Sequence, residues 1–241
     1  MKSVVVLLLL ALPAPWLCQS CGSVRHMPAV DASKPIKVLF MVGGYAGHDS
    51  LNLPPMLHKV LESKGEFEFT ITEDHDQYRA ENIRKYDVVL SYTTGGALTK
   101  EQETGLVQFV ENGGAFVGIH SATDSFHNSD AYWKLLGGRF VGHGGGTFKV
   151  HVTGKSHPVV KGMDDFEITD ETYQHEFHPE SKLIVLARRD TDGEPAAWVQ
   201  YYGKGRVFVT GQGHGESAWE NPSFQDMIYR ALLWATKRLN P

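Results

Sequence analysis

Three histidines stand shortly after apolar runs of the sequence, and their side chains could hold a metal ion or transfer protons. His120 follows its run directly, whereas His48 and His214 lie a few residues further on in glycine-rich segments. Imidazole suits borderline divalent ions such as zinc, manganese, iron and nickel. It also exchanges protons near neutral pH. The three positions are far apart in the chain, so only the folded structure can bring these rings into one site.

A fourth histidine and a carboxylate complete the candidate site. His143 lies in the glycine-rich segment 137–146, which is predicted to be a loop. Glu171 stands at the end of a predicted strand, next to Asp170, which is expected to orient or cap. The predicted ligands of a divalent metal are His48, His120, His143 and His214. The predicted catalytic residues are His120, Glu171 and His214. In the competing interpretation each imidazole is structural and bonds to backbone groups.

Buried strands of a parallel sheet must position these side chains. Short, mainly apolar runs are typical of such strands, and that of 115–119 has no charged residue. The predicted parallel strands cover residues 36–42, 86–92, 115–119 and 205–210. Because ligands bind outside the carboxyl ends of the strands in open α/β sheets, histidines placed there are expected to meet.

Helical patterns separate these strands. The first predicted helix has Asp49 or Ser50 as its cap and runs to about residue 63. Thr99 and Gln102 form a capping box at the start of the second helix. The other helices are predicted over 131–136 and from 222 to about 238. This alternation predicts an α/β fold on a doubly wound, mainly parallel sheet.

The later part of the chain predicts antiparallel additions to that sheet. Apolar residues alternate with polar ones at 148, 150 and 152, and further strands are predicted over 166–169, 183–187 and 196–201. The segment His175-Glu176-Phe177-His178 is predicted to be a solvated loop.

His120 occupies the position of the nucleophile in an elbow of strand, tight turn and helix. Its side chain is an imidazole and not a thiol or hydroxyl. The two cysteines of the sequence, Cys18 and Cys21, both precede the first predicted strand. The folded body is therefore expected to have no disulfide and no thiol catalysis.

The N-terminal segment predicts export. Residues 1–20 have the lysine and short apolar stretch of a signal peptide, residues 21–35 form a predicted tether, and 36–241 a single domain. Cleavage after residue 20 would place Cys21 at the new N-terminus, where a lipid anchor can be attached. The lipobox match is partial, because Cys18 stands where leucine is usual. A membrane-anchored lipoprotein, a soluble periplasmic protein and an uncleaved anchor are the three alternatives.

Composition excludes some partners. The chain has 241 residues, a net charge of −5 and no basic stripe with interleaved aromatic residues, so nucleic acid is not an expected partner. The oligomeric state stays open, a homo-oligomer included.

Several motifs taken together resemble the ThuA-like family, which is named for trehalose utilisation. They are Gly44-x-x-Gly47-His48-Asp49-Ser50, Gly118-Ile119-His120-Ser121-Ala122-Thr123-Asp124, Leu136-Gly137-Gly138-x-Phe140 followed by His143, His157-Pro158, Asp170-Glu171-x-Tyr173, Gly203-x-Gly205-Arg206-Val207-Phe208 and Gly213-His214. They extend over about residues 36–238, nearly all of the predicted mature chain.

The resemblance implies a fold like that of class I glutamine amidotransferases, of flavodoxin-like type, without the catalytic cysteine. It also implies a part in the bacterial breakdown of disaccharides and glycosides, including routes through 3-keto sugars. The expected function is a metal-assisted enzyme acting on a glycoside or keto-glycoside as a lyase, isomerase or hydrolase. The alternative is a non-catalytic sugar-binding accessory protein of a glycoside-utilisation pathway.

Four residues are assigned to substrate binding on this interpretation. Tyr45 and Trp219 lie in candidate site loops, where either ring could stack on a sugar face. Asp124 would accept a hydrogen bond from a sugar hydroxyl or, alternatively, cap a helix. Tyr173, from the motif Asp170-Glu171-x-Tyr173, is the fourth.

Overall fold

A computed structural model describes residues 34–44 and 47–239. The predicted signal peptide, most of the predicted tether and Tyr45 lie outside these described residues. The strands are β1 (Ile36–Gly43), β2 (Phe67–Thr72), β3 (Val88–Thr93), β4 (Ala115–Ile119), β5 (Gly138–Val152), β6 (Phe166–Phe177), β7 (Ile184–Arg189), β8 (Pro195–Tyr202) and β9 (Gly205–Thr210). The α-helices are α1 (Leu53–Glu62), α2 (Ala80–Ile83), α3 (Lys100–Glu111), α4 (Asp130–Leu136), α5 (Glu216–Trp219) and α6 (Pro222–Ala235).

The strands form one nine-stranded sheet in the order β2-β1-β3-β4-β9-β8-β7-β5-β6. The first five in this order pair in parallel, with Gly118 of β4 opposite Val209 of β9. The remaining four pair in antiparallel fashion. The predicted α/β class, parallel centre and antiparallel additions are confirmed. The carboxyl ends of β1, β4 and β9 lie at one edge, so the segments carrying the three histidines meet there.

Helices cover both faces of the parallel half. Along β1, Val38 and Phe40 face the cluster of α1 and α6, whereas Leu39 and Met41 face that of α3 and α4. All four side chains are fully buried. A strand buried on both faces favours apolar residues at successive positions, which explains the apolar run at 38–42.

Side-chain caps begin three of the helices. Thr99 and Gln102 form the predicted capping box of α3. Ser129 caps α4 and Asn221 caps α6, whose first residue is proline. None of the helices in the described part of the chain has the length and apolar character for crossing a membrane.

The antiparallel half departs from the prediction at one hairpin. The glycine-rich segment predicted as a loop is part of β5, and β6 continues to Phe177 beyond the predicted end at 169. Consequently Glu171 lies in the middle of a strand and not at its end. His175 and His178, predicted to be solvated, are both buried. Cross-strand pairing from Gly138 to Val150 overrides the weak strand preference of glycine in this segment.

Candidate metal and catalytic site

His120, which follows the last residue of β4, has an unusual backbone conformation and a ring fixed by a hydrogen bond. It has a φ of +44°, a left-handed conformation that is rare for a residue with a side chain. The ring is fully buried. Its Nδ1 lies 2.8 Å from the carbonyl oxygen of Gly211 in the loop after β9. Because a carbonyl can only accept, Nδ1 carries a proton, and Nε2 is the ring atom that faces the site.

One carboxylate oxygen of Glu171 contacts two imidazole rings. Its Oε2 lies 3.3 Å from Nε2 of His120 and 3.2 Å from Nδ1 of His214. Neither of these buried nitrogen atoms has a hydrogen-bond partner among the described residues. A lone pair that faces a carboxylate oxygen is unfavourable unless a proton or a cation lies between them.

His48 completes a group of four. The ligand atoms offered by His48, His120, Glu171 and His214 all lie within 4.8 Å of one another. His48 is also held by two hydroxyl groups, with Nδ1 3.0 Å from Oγ1 of Thr94 and Nε2 3.0 Å from the hydroxyl of Tyr173. The structure therefore brings together three of the four predicted histidine ligands and the predicted carboxylate.

This donor set fits a divalent metal ion. Three imidazoles and one carboxylate form a ligand set typical of zinc and suitable for manganese, iron and nickel. Four tetrahedral ligand atoms at about 2.0–2.1 Å from an ion lie about 3.3 Å from one another. The contacts of Glu171 Oε2 with His120 and His214, at 3.3 and 3.2 Å, match that spacing. A cation there would also satisfy both unpartnered nitrogen atoms.

His143 stands apart from this group. It lies on the opposite side of the Glu171 carboxylate, with Nδ1 3.4 Å from Oε1 and 3.1 Å from the carbonyl oxygen of Gly144. Both neighbours are acceptors, so Nδ1 carries the proton and Nε2 is the basic atom. Its side chain is 47% exposed. The structure thus places the predicted ligand His143 in contact with Glu171 but outside the four-residue group.

The groups of the site shift the pKa values of their neighbours. Burial raises the pKa of Glu171, but its contact with His120 and the charges of His214, His120 and His143 outweigh burial and leave the pKa below its ordinary value. Burial and the neighbouring His120 and His214 lower the pKa of His48 to about 4. At neutral pH the site therefore contains an ionised carboxylate and a neutral His48, the forms that bind metal.

Asp170 fixes the position of His214 through the backbone. Its carboxylate accepts hydrogen bonds from the amides of Gly213, His214 and Gly215, at 2.7, 3.0 and 3.0 Å. Of the two roles expected for Asp170, the structure shows the orienting one. Two adjacent residues of β6 thus contact the loop after β9. Asp170 binds the backbone of the loop, and Glu171 contacts the imidazole of His214.

The predicted substrate-binding residues have unequal surroundings. Trp219 is fully buried, donates from Nε1 to the carbonyl of Gly213 and meets Tyr92 edge-on, so it has no free face for a sugar. The ring of Trp219 packs in the hydrophobic core, so the prediction that it stacks on a sugar is wrong. Tyr173 is also buried, and its ring packs on that of His120 with centroids 3.7 Å apart.

Asp124 lies in the short 3-10 turn that follows β4. It accepts a hydrogen bond from Nε2 of His127 at 3.0 Å, and its charge raises the pKa of the nearby His48. The helix cap of α4 is Ser129, so the alternative capping role of Asp124 does not apply.

Sequence reasoning missed the groups that hold the histidines in place. They are the carbonyl of Gly211, which meets His120, and the hydroxyl of Thr94, which meets His48. The buried His175 lies nearby, with its Nε2 3.4 Å from Oγ1 of Thr123. A backbone carbonyl leaves no signal in the sequence. The glycines beside these positions are an indirect signal, since a Cβ on Gly211 would lie 2.9 Å from the ring of His175.

The fold and the site define an α/β protein with a cluster of three histidines and a carboxylate at the carboxyl edge of its parallel strands. Residues 37–235 match the family model described as trehalose utilisation. The chain therefore belongs to the ThuA family, which indicates a role related to carbohydrates. Comparison with curated protein sequences finds no match.

Solved structures share this fold. A ThuA-like protein from Parabacteroides merdae is 21% identical, with a TM-score of 0.76 over 86% of this chain and 92% of that chain. A ThuA-like protein from Bacteroides uniformis is 22% identical, with a TM-score of 0.66 over 86% and 94%. A β-galactosidase from Rahnella sp. R3 is 16% identical, with a TM-score of 0.61 over 85% of this chain and 31% of that chain. At these identities the likeness shows the fold alone.

Proposed function

We propose that this protein is an enzyme of carbohydrate breakdown that acts on a glycoside or keto-glycoside with the help of a divalent metal ion. Membership of the trehalose-utilisation family supports the substrate class. The observation that carries the chemistry is the convergence of His48, His120, Glu171 and His214 within 4.8 Å. The two unpartnered imidazole nitrogens at its centre support metal binding.

The four residues of the group would hold the ion. When bound, it supplies a Lewis acid that polarises a carbonyl or hydroxyl oxygen of the substrate. The hydrogen bond to Gly211 keeps His120 in the tautomer with a free Nε2. The three amides on Asp170 keep the loop of His214 in place. The site is thus largely preorganised by contacts outside the group itself.

His143 is suited to move a proton. Its Nδ1–H is directed at Glu171 and Gly144, which leaves Nε2 as a base on an exposed ring. In a keto-glycoside, removal of a proton from the carbon next to the carbonyl gives an enolate. That species can be reprotonated, which is isomerisation, or can expel the glycosidic oxygen, which is elimination. The proposed reaction class is a lyase, an isomerase or a hydrolase.

Non-catalytic sugar binding is the alternative function. It relied on aromatic faces for stacking, and of the two expected rings Trp219 is buried and Tyr45 lies outside the described residues. Sugar binding alone does not require three imidazoles and a carboxylate to converge within 4.8 Å, whereas metal-assisted catalysis does.

The test combines metal analysis with turnover of 3-keto-glycosides. We expect activity to fall at least about 100-fold when the ion is removed with a chelator, and to return with zinc, manganese, iron or nickel. His143→Gln should lose activity and keep its metal. His151→Gln is the control, because His151 is an exposed histidine of β5 that pairs with Asp165, outside the four-residue group. Metal-free protein with undiminished turnover would contradict the proposal.

A further inference from the structure

Strand β5 contains four glycines within five residues: Gly142, Gly144, Gly145 and Gly146. Glycine weakens a strand, since it has no side chain to pack and loses more entropy on folding. It is expected there only at a bulge, at a special φ, or where another group approaches closely.

Internal features account for three of them. Gly142 adjoins a β-bulge, where the register shifts between Phe140 and Gly142. A Cβ on Gly144 would lie 2.9 Å from Oγ1 of Thr172, the hydroxyl that accepts from the Gly144 amide. Gly146 has a φ of +150°, which side chains rarely adopt.

Gly145 has none of these internal reasons. Its φ lies outside the left-handed range, and a Cβ would meet only the carbonyl oxygen of Asp170, at an ordinary 3.7 Å. The residue is exposed to solvent. It is paired with Glu171 across the hairpin, so the missing side chain belongs to the face that carries the carboxylate. His143, two residues earlier on the same strand, is on that face as well.

We propose that Gly145 keeps open the path by which the sugar ring of the substrate reaches Glu171, and that it is a specificity-determining residue. The inference rests on the proposed function for the identity of the ligand. Gly145 lies two residues from the exposed His143 on one strand and directly opposite Glu171 on the other. A pyranose ring can lie flat on bare backbone there, whereas a branched side chain would project into the same space.

The test compares Gly145→Val with Gly142→Val. Gly142 is a matched control, since its φ is also outside the left-handed range and its Cβ would have open space, the nearest atom being Oε1 of Gln174 at 3.9 Å. The probes are methyl 3-keto-glucoside and the bulkier 3-keto-trehalose, with binding measured by calorimetry alongside metal content and Tm. We expect Gly145→Val to bind both at least about tenfold more weakly, 3-keto-trehalose losing more.

Metal content should be unchanged in Gly145→Val, and its Tm unchanged or higher because valine favours strands. Gly142→Val should bind like the wild type. Wild-type binding by Gly145→Val would overturn the inference, as would an equal loss in both variants or loss of the metal from Gly145→Val. If the wild type binds neither keto-sugar, the proposed function is wrong. The assignment of a sugar as the ligand that passes Gly145 is then wrong as well.

Discussion

At the scale of single residues, the backbone of His120 is the most informative feature. A left-handed φ in a non-glycine residue costs of the order of 1–3 kcal/mol and persists only where the surroundings enforce it. Glycine would adopt the same conformation without strain. The strain is consistent with a requirement for an imidazole at this point, where its Nε2 meets Glu171 and its Nδ1 is tied to Gly211.

Two substitutions at this position separate strain from side-chain chemistry. His120→Ala and His120→Gly both remove the buried ring and should both lose turnover and metal affinity. His120→Gly should unfold with a free energy about 1 kcal/mol higher than His120→Ala, because only alanine retains the strain at φ +44°. Urea unfolding of the metal-free variants measures this difference. Equal stability, or a more stable alanine variant, would show that the conformation carries no strain.

His48 makes the metal-free protein sensitive to acid. Its pKa falls from 6.5 to about 4 on folding, so between these values the unfolded chain binds a proton that the folded site excludes. The stability contributed by neutral His48 is present above about pH 6.5 and is lost as the pH falls towards 4. In His48→Asn the free energy of unfolding should fall less steeply over this range. Parallel pH curves for variant and wild type would contradict the assignment.

At the scale of elements, the site depends on the contact between β6 and the loop after β9. Asp170 and Glu171 are neighbours on β6, and both reach this loop. Arg189 and Glu194 hold the same strand from the other side, through the carbonyl of Tyr173 and the amide of His175. The strand is therefore fixed on both sides of Glu171, which keeps the carboxylate in register with the histidines.

Asp170→Asn tests this arrangement. The amide side chain keeps the shape but removes the charge that three backbone amides share, so we expect a loss of about 1–3 kcal/mol in the free energy of unfolding. Metal affinity should fall by about 10–100-fold because His214 loses its support. Asp165→Asn is the control, since Asp165 accepts from Val152 and His151 away from the group. Both are measured by urea unfolding and zinc titration; unchanged zinc affinity in Asp170→Asn would contradict the argument.

The parallel half was predictable from sequence because its strands are buried on both faces. Each of β1, β3, β4 and β9 contains an apolar run, and glycine or a polar residue follows it, so strand and site edge were recognisable together. The runs are residues 38–42, 88–90, 115–119 and 207–209. The β5–β6 hairpin was not predictable in the same way. The glycines of β5 interrupt the alternation of apolar and polar residues by which a strand is recognised. The strand forms because it pairs with β6, and a short stretch of sequence does not reveal pairing with a distant strand.

The site was predictable to the extent that topology determines it. The ends of adjacent parallel strands must lie close together, so the meeting of His48, His120 and His214 followed from the strand pattern. The positions of His143 and Trp219 depend on side-chain direction, which the sequence pattern does not encode. The first lies across the carboxylate of Glu171, and the second is buried in the core.

At the scale of the whole molecule, the two halves of the sheet have different tasks. The parallel half delivers three histidines to one edge, and the antiparallel half supplies Glu171 and His143 from its outermost hairpin. The same fold accounts for about a third of a β-galactosidase chain, so the fold alone does not determine the reaction. The residues of the site determine the chemistry.

Metal binding should also stabilise the whole chain. An ion that binds only the folded state adds about 2.7 kcal/mol to the free energy of unfolding at a concentration 100 times its Kd. Zinc should therefore raise the Tm of the metal-free protein. His214→Ala should largely remove the increase, and His151→Gln should retain it. An equal increase in the His214→Ala variant would indicate binding elsewhere.

Calorimetric titration of the metal-stripped protein with zinc chloride measures whether the histidine–carboxylate group binds a metal ion. We expect one ion for each chain, bound by His48, His120, Glu171 and His214, with the affinity reduced by about 10-fold or more in Glu171→Gln. Absence of saturable binding in the wild type, or unchanged affinity in Glu171→Gln, would contradict this prediction.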